Sequence, residues 1–167
     1  MEQPFFYFKP LKTWEMVITA LYAVLTLWIA LNIKDWPAAS RQDTLLLYFI
    51  ITQLVVIMVF YASLRNLTFY LIWFFFASIH LMFYAKSDHV ASVANGNISS
   101  GLKITVILLI IFQVLRFISL KWQHQEFVMP SKSEKDIMEE RKVSIIDKVI
   151  FAVYMGAWMG LMFLFTL

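Results

Sequence analysis

Five apolar runs constrain this chain more than any other feature. Each approaches the ~20 residues that a helix needs to cross the hydrocarbon of a bilayer. They are Met16 to Ile33, Thr44 to Leu64, Asn66 to Ala85, Leu102 to Leu120 and Val149 to Leu167. Four carry no charge, and the fourth run is interrupted by Lys103 at one end and Arg116 near the other. The apolar residues come as continuous blocks rather than in alternation, which argues for helices and against a barrel. Only Arg65 separates the second run from the third, so those two spans form an antiparallel hairpin.

Composition supports this reading. Hydrophobic residues make up 61% of the chain and charged residues only 15%, too little polar surface for a soluble domain of this length. With no cysteine, disulfides, thiolate metal sites and lipidation on Cys are excluded. The net charge of +3 is mild and reflects topology, since no basic stripe interleaves with aromatics as nucleic-acid binding would require. The expected fold is all-α: a polytopic bundle of about five transmembrane helices, with a charged helical extension leading into the last.

That extension is read from the end of the chain. Ser131-Lys132-Ser133-Glu134 has the pattern of a capping box, in which the hydroxyl and the carboxylate satisfy each other's backbone N–H groups. No proline follows, and the first glycine beyond it is Gly156. One continuous helix from Ser131 would be roughly 50 Å long, of which about 30 Å can lie in hydrocarbon; the rest would stand in water as a stalk. In the membrane half, Ala152, Gly156 and Gly160 recur every four residues. Such a ladder of small residues lets two helix backbones approach closely, so it is the expected packing or oligomer interface.

The chain then divides into an interfacial segment (1–15), four spans (16–120), a loop and helical arm (121–148) and a fifth span (149–167). The first segment, with its Phe5-Phe6-Tyr7-Phe8 run beside lysines, suits the headgroup zone and does not read as a secretory signal. With five spans, Lys9, Lys12, Arg65, Arg116, Lys121, Lys132, Lys135, Arg141, Lys142 and Lys148 fall on one face, against Lys34, Arg41, Lys86 and Lys103 on the other. The richer face is expected to be cytoplasmic, with the C-terminus outside; short loops favour a bacterial inner membrane. A sequon at Asn97 falls on the outer face. The inner arm mixes basic and acidic residues, so it suits a protein partner better than anionic lipid. Lys135, Glu139, Glu140, Arg141 and Lys142 are its expected contact residues, and Lys132/Asp136 and Lys135/Glu139 support it as i,i+4 pairs.

Polar groups inside a membrane are costly unless paired, and here they are few: Gln53, His80, Gln113 and Arg116, with Glu15 at the entry to span one and threonines at 19 and 26. Arg116 is expected either to snorkel to the headgroups or to pair with Glu15. His80 is expected to bond to Gln53 or Tyr61. No catalytic, cofactor or metal site is expected: the spans lack carboxylates beyond their ends, and no HExxH, GxSxG or glycine-rich phosphate loop occurs. Expected partners are the lipid bilayer, further copies of the chain and a cytoplasmic protein. The expected function is that of a non-enzymatic oligomeric membrane component, an anchor, scaffold or membrane-state sensor presenting the arm to its partner; a channel lined by Gln53, or by Gln113 and Arg116, is the alternative, and a membrane-embedded enzyme the third.

Overall fold

The computed structural model describes residues 5–33, 35–87, 101–130 and 142–166. Among the described residues five α-helices make up the bundle: α1 (Thr13–Asn32), α2 (Ala38–Leu54), α3 (Leu67–Ser87), α4 (Gly101–Gln123) and α5 (Ile145–Thr166). Four of them, α1, α3, α4 and α5, are long and apolar enough to cross a membrane. The fifth, α2, contributes a shorter apolar stretch, Asp43–Leu54, and continues as a π turn over Val55–Val59. The lipid-facing side is plain from exposure. Leu21, Val24, Leu27 and Leu31 of α1 and Met159, Phe163 and Leu164 of α5 are each more than half exposed, which only hydrocarbon would accommodate over so wide a surface. The chain is an integral membrane protein.

Local sequence explains the breaks. The Glu15 carboxylate accepts the Lys12 backbone N–H at 2.7 Å and starts α1. Pro37 occupies the N-cap of α2, where its missing N–H costs nothing. At the far end of α2 the Phe60 N–H reaches back five residues to the Val55 carbonyl at 3.0 Å. This wide turn closes the helix, and one turn earlier the Thr52 hydroxyl already draws on the Tyr48 carbonyl. The second span therefore does not run unbroken to Leu64. Val59 ends it, and residues 60–66, with a 3-10 turn at Ser63–Arg65, form the hairpin connection. Phe60, Tyr61, Leu64 and Arg65 all turn into the core. Asn66 then caps α3, its Oδ1 accepting the Thr68 N–H at 3.2 Å.

Helix α4 is the centre of the bundle and packs against α2, α3 and α5. Half of its membrane stretch is buried, against 11% for α5. Its first residue, Gly101, sits so close to Phe49 of α2 that a Cβ there would lie 2.9 Å from the ring. Only glycine allows this approach.

The unbroken helix expected from Ser131 does not form. Residues 142–144 are not helical and α5 begins at Ile145. The physical reason is a second capping motif, Ser144-Ile145-Ile146-Asp147. Ser144 Oγ accepts the Asp147 N–H at 3.0 Å, and Asp147 Oδ2 accepts the Ser144 N–H at 2.9 Å, which satisfies both donors reciprocally. The capping pattern at 131–134, the i,i+4 pairs of the arm, Lys135, Glu139, Glu140 and Arg141, and the Asn97 sequon all lie outside the described residues; Lys142 is described and exposed.

Ahead of α5 the chain takes an unexpected path. His124, at φ 54°, ends α4 in the left-handed conformation that closes many helices. Residues 126–129 then fold back as a buried, non-helical segment. The N-terminal segment joins the same end: the Leu67 N–H donates to the Tyr7 carbonyl at 3.0 Å, and Asn66 Nδ2 donates to the Lys9 carbonyl at 2.8 Å. The start of the chain, the 60–66 connection and the 124–130 segment thus meet at one end, called here the inner end.

Candidate functional site

Two buried polar assemblies stand out, one within the bundle and one at its inner end. The first is built from a repeated pattern. Tyr22 and Thr26 on α1, and Tyr48 and Thr52 on α2, are each spaced by four residues and so share a helix face. Each threonine donates to the carbonyl of its own tyrosine, Thr26 at 2.8 Å and Thr52 at 2.7 Å. Each tyrosine hydroxyl meets the other helix's threonine, Tyr22 with Thr52 at 2.6 Å and Tyr48 with Thr26 at 2.8 Å. Between them stands His80 of α3, whose Nε2 lies 2.8 Å from both tyrosine oxygens. Its Nδ1 is 3.3 Å from Thr105 Oγ1 of α4, which in turn accepts from Gln53 Nε2 at 2.7 Å.

Proton counting orients this network. Each threonine has one hydroxyl proton and directs it to a carbonyl, so the tyrosines must donate to the threonines. Both tyrosine oxygens then face Nε2 as acceptors, which places the imidazole proton on Nε2 and leaves Nδ1 to accept from Thr105. The bonds run in one direction from Gln53 through Thr105, His80 and the tyrosines to the threonines. His80 therefore binds Tyr22, Tyr48 and Thr105 rather than Gln53 or Tyr61 directly; Gln53 is reached through Thr105. The assembly ties four helices together, and in hydrocarbon each such bond contributes on the order of 0.6–1.7 kcal/mol.

The second assembly centres on Arg116, which is 1% exposed. It neither snorkels nor pairs with Glu15. Its guanidinium grips Glu126 in a two-point contact, Nε to Oε2 at 2.8 Å and Nη2 to Oε1 at 2.6 Å. Phe5 and Tyr7 lie against it with ring centroids 4.9 and 5.5 Å from Cζ, and Gln113 Oε1 accepts from Nη1 at 3.4 Å. The physical reason for the exchange of partners is the fold-back after His124, which carries a carboxylate to the arginine. Glu15 instead accepts from Ser63 Oγ at 2.5 Å and from the Lys12 N–H.

The same segment is held at three further points. Ser119 Oγ donates to the Gln125 carbonyl at 2.9 Å, and Arg65 Nη2 donates to the Phe127 carbonyl at 2.7 Å. The Val128 N–H donates to Asp147 Oδ1 at 3.3 Å. Asp147, fully buried, also accepts from Gln123 Nε2 at 2.7 Å. Two guanidiniums, two carboxylates and a backbone strip therefore lock the 60–66 connection, α4 and α5 together at the inner end.

The remaining expected residues are placed differently. Ala152, Gly156 and Gly160 are exposed on the outer side of α5, and no heavy atom would lie within 4 Å of a Cβ on either glycine. They do not admit a neighbouring aromatic within the subunit. Sequence reasoning missed Tyr22, Tyr48, Thr105, Glu126 and Asp147. The repeated Tyr-x-x-x-Thr spacing and the Ser-x-x-Asp before an apolar run were signals that could have found three of them, Tyr22, Tyr48 and Asp147. Comparison of the chain with protein-family models, with curated proteins and with solved structures finds no match.

Proposed function

We propose that this chain is a non-enzymatic multi-pass membrane component that works by assembling through α5, as an oligomer or as a subunit of a larger complex. Its inner end faces the cytoplasm, most simply of a bacterial inner membrane, and presents the 121–148 arm to a protein partner. The orientation rests on the lysine and arginine count alone. One observation carries the assembly: α5 spends a full membrane crossing with 11% of that stretch buried, while its small residues form an open groove on the outside. In lipid, apolar surfaces gain nothing by expelling water, so a groove that lets backbones approach is the main route to helix association. Met159 and Phe163, both exposed beside the groove, can pack over an approaching backbone, whereas Trp158 and Met162 turn inward against the core.

A channel between copies, lined by Gln53 or by Gln113 and Arg116, would require those side chains to turn outward. Each is already engaged within its own bundle. Mass measurement of the detergent-solubilised protein tests the reading. Gly156→Leu and Gly160→Leu are expected to give a smaller assembly of subunits that still fold, because a Cβ at either position meets nothing within the subunit. An unchanged mass for both variants would remove α5 as the assembly face.

A further inference from the structure

A cavity of about 450 Å³ lies between the N-terminal segment, the start of α1 and the 59–66 connection. Lys9 and Lys12 bring positive charge to it and Glu15 a negative one, with Ser63 and Asn66 adding polar groups. Glu15 is the group that needs an explanation. It is 5% exposed and, among the described residues, accepts from the Ser63 hydroxyl and the Lys12 backbone N–H alone. Among the described residues no cation lies within ion-pair distance of it. A carboxylate held by neutral donors out of water remains costly, and its oxygens keep lone pairs to offer.

Beside the cavity runs an apolar groove of about 440 Å³, lined by Phe8 and by Thr68, Leu71, Ile72, Phe75 and Phe76 of α3. The two are linked by alternation along the extended segment: Tyr7 and Lys9 line the polar cavity, and Phe8 lines the groove. Residues 68 to 76 descend about 12 Å from the inner end into the bilayer, and Leu71 and Phe75 are open to lipid.

We propose that these two cavities together hold one phospholipid whose headgroup is a zwitterion with a primary amine. Its phosphate lies between Lys9 and Lys12, its ammonium against Glu15, and one acyl chain in the groove below Phe8. Two lysines alone would suit any anionic lipid, but the buried carboxylate repels a headgroup without a cation. A primary ammonium offers three N–H donors to the Glu15 oxygens, whereas a trimethylated amine offers none. The groove gives the lipid an anchor that a free headgroup lacks. This site is independent of assembly through α5.

The test is native mass spectrometry of the purified protein with an equimolar mixture of phosphatidylethanolamine, phosphatidylcholine and phosphatidylglycerol of matched chains. Phosphatidylethanolamine is expected to be retained over phosphatidylcholine by about fivefold, the scale of one partly exposed charge contact. Glu15→Gln, which keeps the side chain's shape but removes its charge and turns one acceptor oxygen into an N–H donor, should bring that ratio close to one. Lys12→Gln, a change at an exposed side chain, should weaken retention of all three lipids and gives a readout even if the Glu15 variant misfolds. Soluble glycerophosphoethanolamine at equal concentration should displace nothing. Equal retention of the three lipids, a preference that survives Glu15→Gln, or displacement by the soluble headgroup would each overturn the proposal.

Discussion

Arg116→Ala is expected to lower the stability of the purified protein by about 3–5 kcal/mol, the cost of stranding one partner of a buried ion pair. The side chains of Arg116 and Glu126 are 2% and 9% exposed, so water cannot replace the lost contact. Removing the guanidinium also unstacks Phe5 and Tyr7 and frees the 124–130 segment from its strongest tie. Glu126→Gln should be nearly as damaging, because it leaves the arginine without its counter-charge. Replacing both together, Arg116→Met with Glu126→Leu, should restore much of the loss, since two apolar side chains strand no charge. Thermal melts in one detergent read all three. If Arg116→Ala proves silent, Arg116 reaches the headgroups and the inner-end lock does not exist.

Asp147→Ala is expected to cost about 3 kcal/mol, combining the loss of a helix cap with buried donors left unpaired. Asp147 accepts the Ser144 N–H and hydroxyl, the Gln123 amide and the Val128 N–H. No other described acceptor bridges α4, the folded-back segment and α5 at once. The damage should be local before it is global. Hydrogen exchange should quicken across the first turn of α5 and at Val128, and leave the Tyr22–Tyr48–His80 assembly protected. Ser144→Ala removes one cap contact and should cost about 1 kcal/mol. An Asp147→Ala protein with the melting temperature and exchange pattern of the parent would show that α5 starts without this residue.

Much of the architecture is legible from the chain because the bilayer imposes one rule, backbone satisfaction within the span. That rule turns each apolar run into a helix, and alternation then brings the N-terminus, the Arg65 region and the loop after α4 to one end. Positions within helices were less legible. Thr26 gives its hydroxyl proton to the Tyr22 carbonyl, as an isolated threonine in a helix can, but its oxygen still accepts from Tyr48. Nothing in the two tyrosines, taken singly, marks them as polar anchors; only their shared spacing to a threonine does.

The fold-back at 124–130 was hidden for a different reason. Glu126 stands in a stretch rich in both charges and reads as solvated, while Phe127-Val128-Met129 is too short to read as a buried element. The π turn at Val55–Val59 likewise has no sequence rule behind it. Two serine-led cap patterns, at 131 and at 144, cannot be ranked from sequence alone, since both offer a serine and a carboxylate at the same spacing. Asp147 distinguishes the second by also serving Gln123 and Val128, and those contacts exist only once the chain has folded back.

The inner end joins the start of α1, the 60–66 connection and the start of α5, and the absence of native cysteine makes that arrangement directly measurable. Single cysteines at Thr13, Asp35 and Lys142, all exposed, can be probed in intact cells with a membrane-impermeant thiol reagent, and again after permeabilisation. The account predicts labelling of Asp35→Cys in intact cells, and labelling of Thr13→Cys and Lys142→Cys only once the membrane is opened. Thr13→Cys and Lys142→Cys reacting from opposite sides would contradict it, because the start of α1 and the start of α5 would then not share an end.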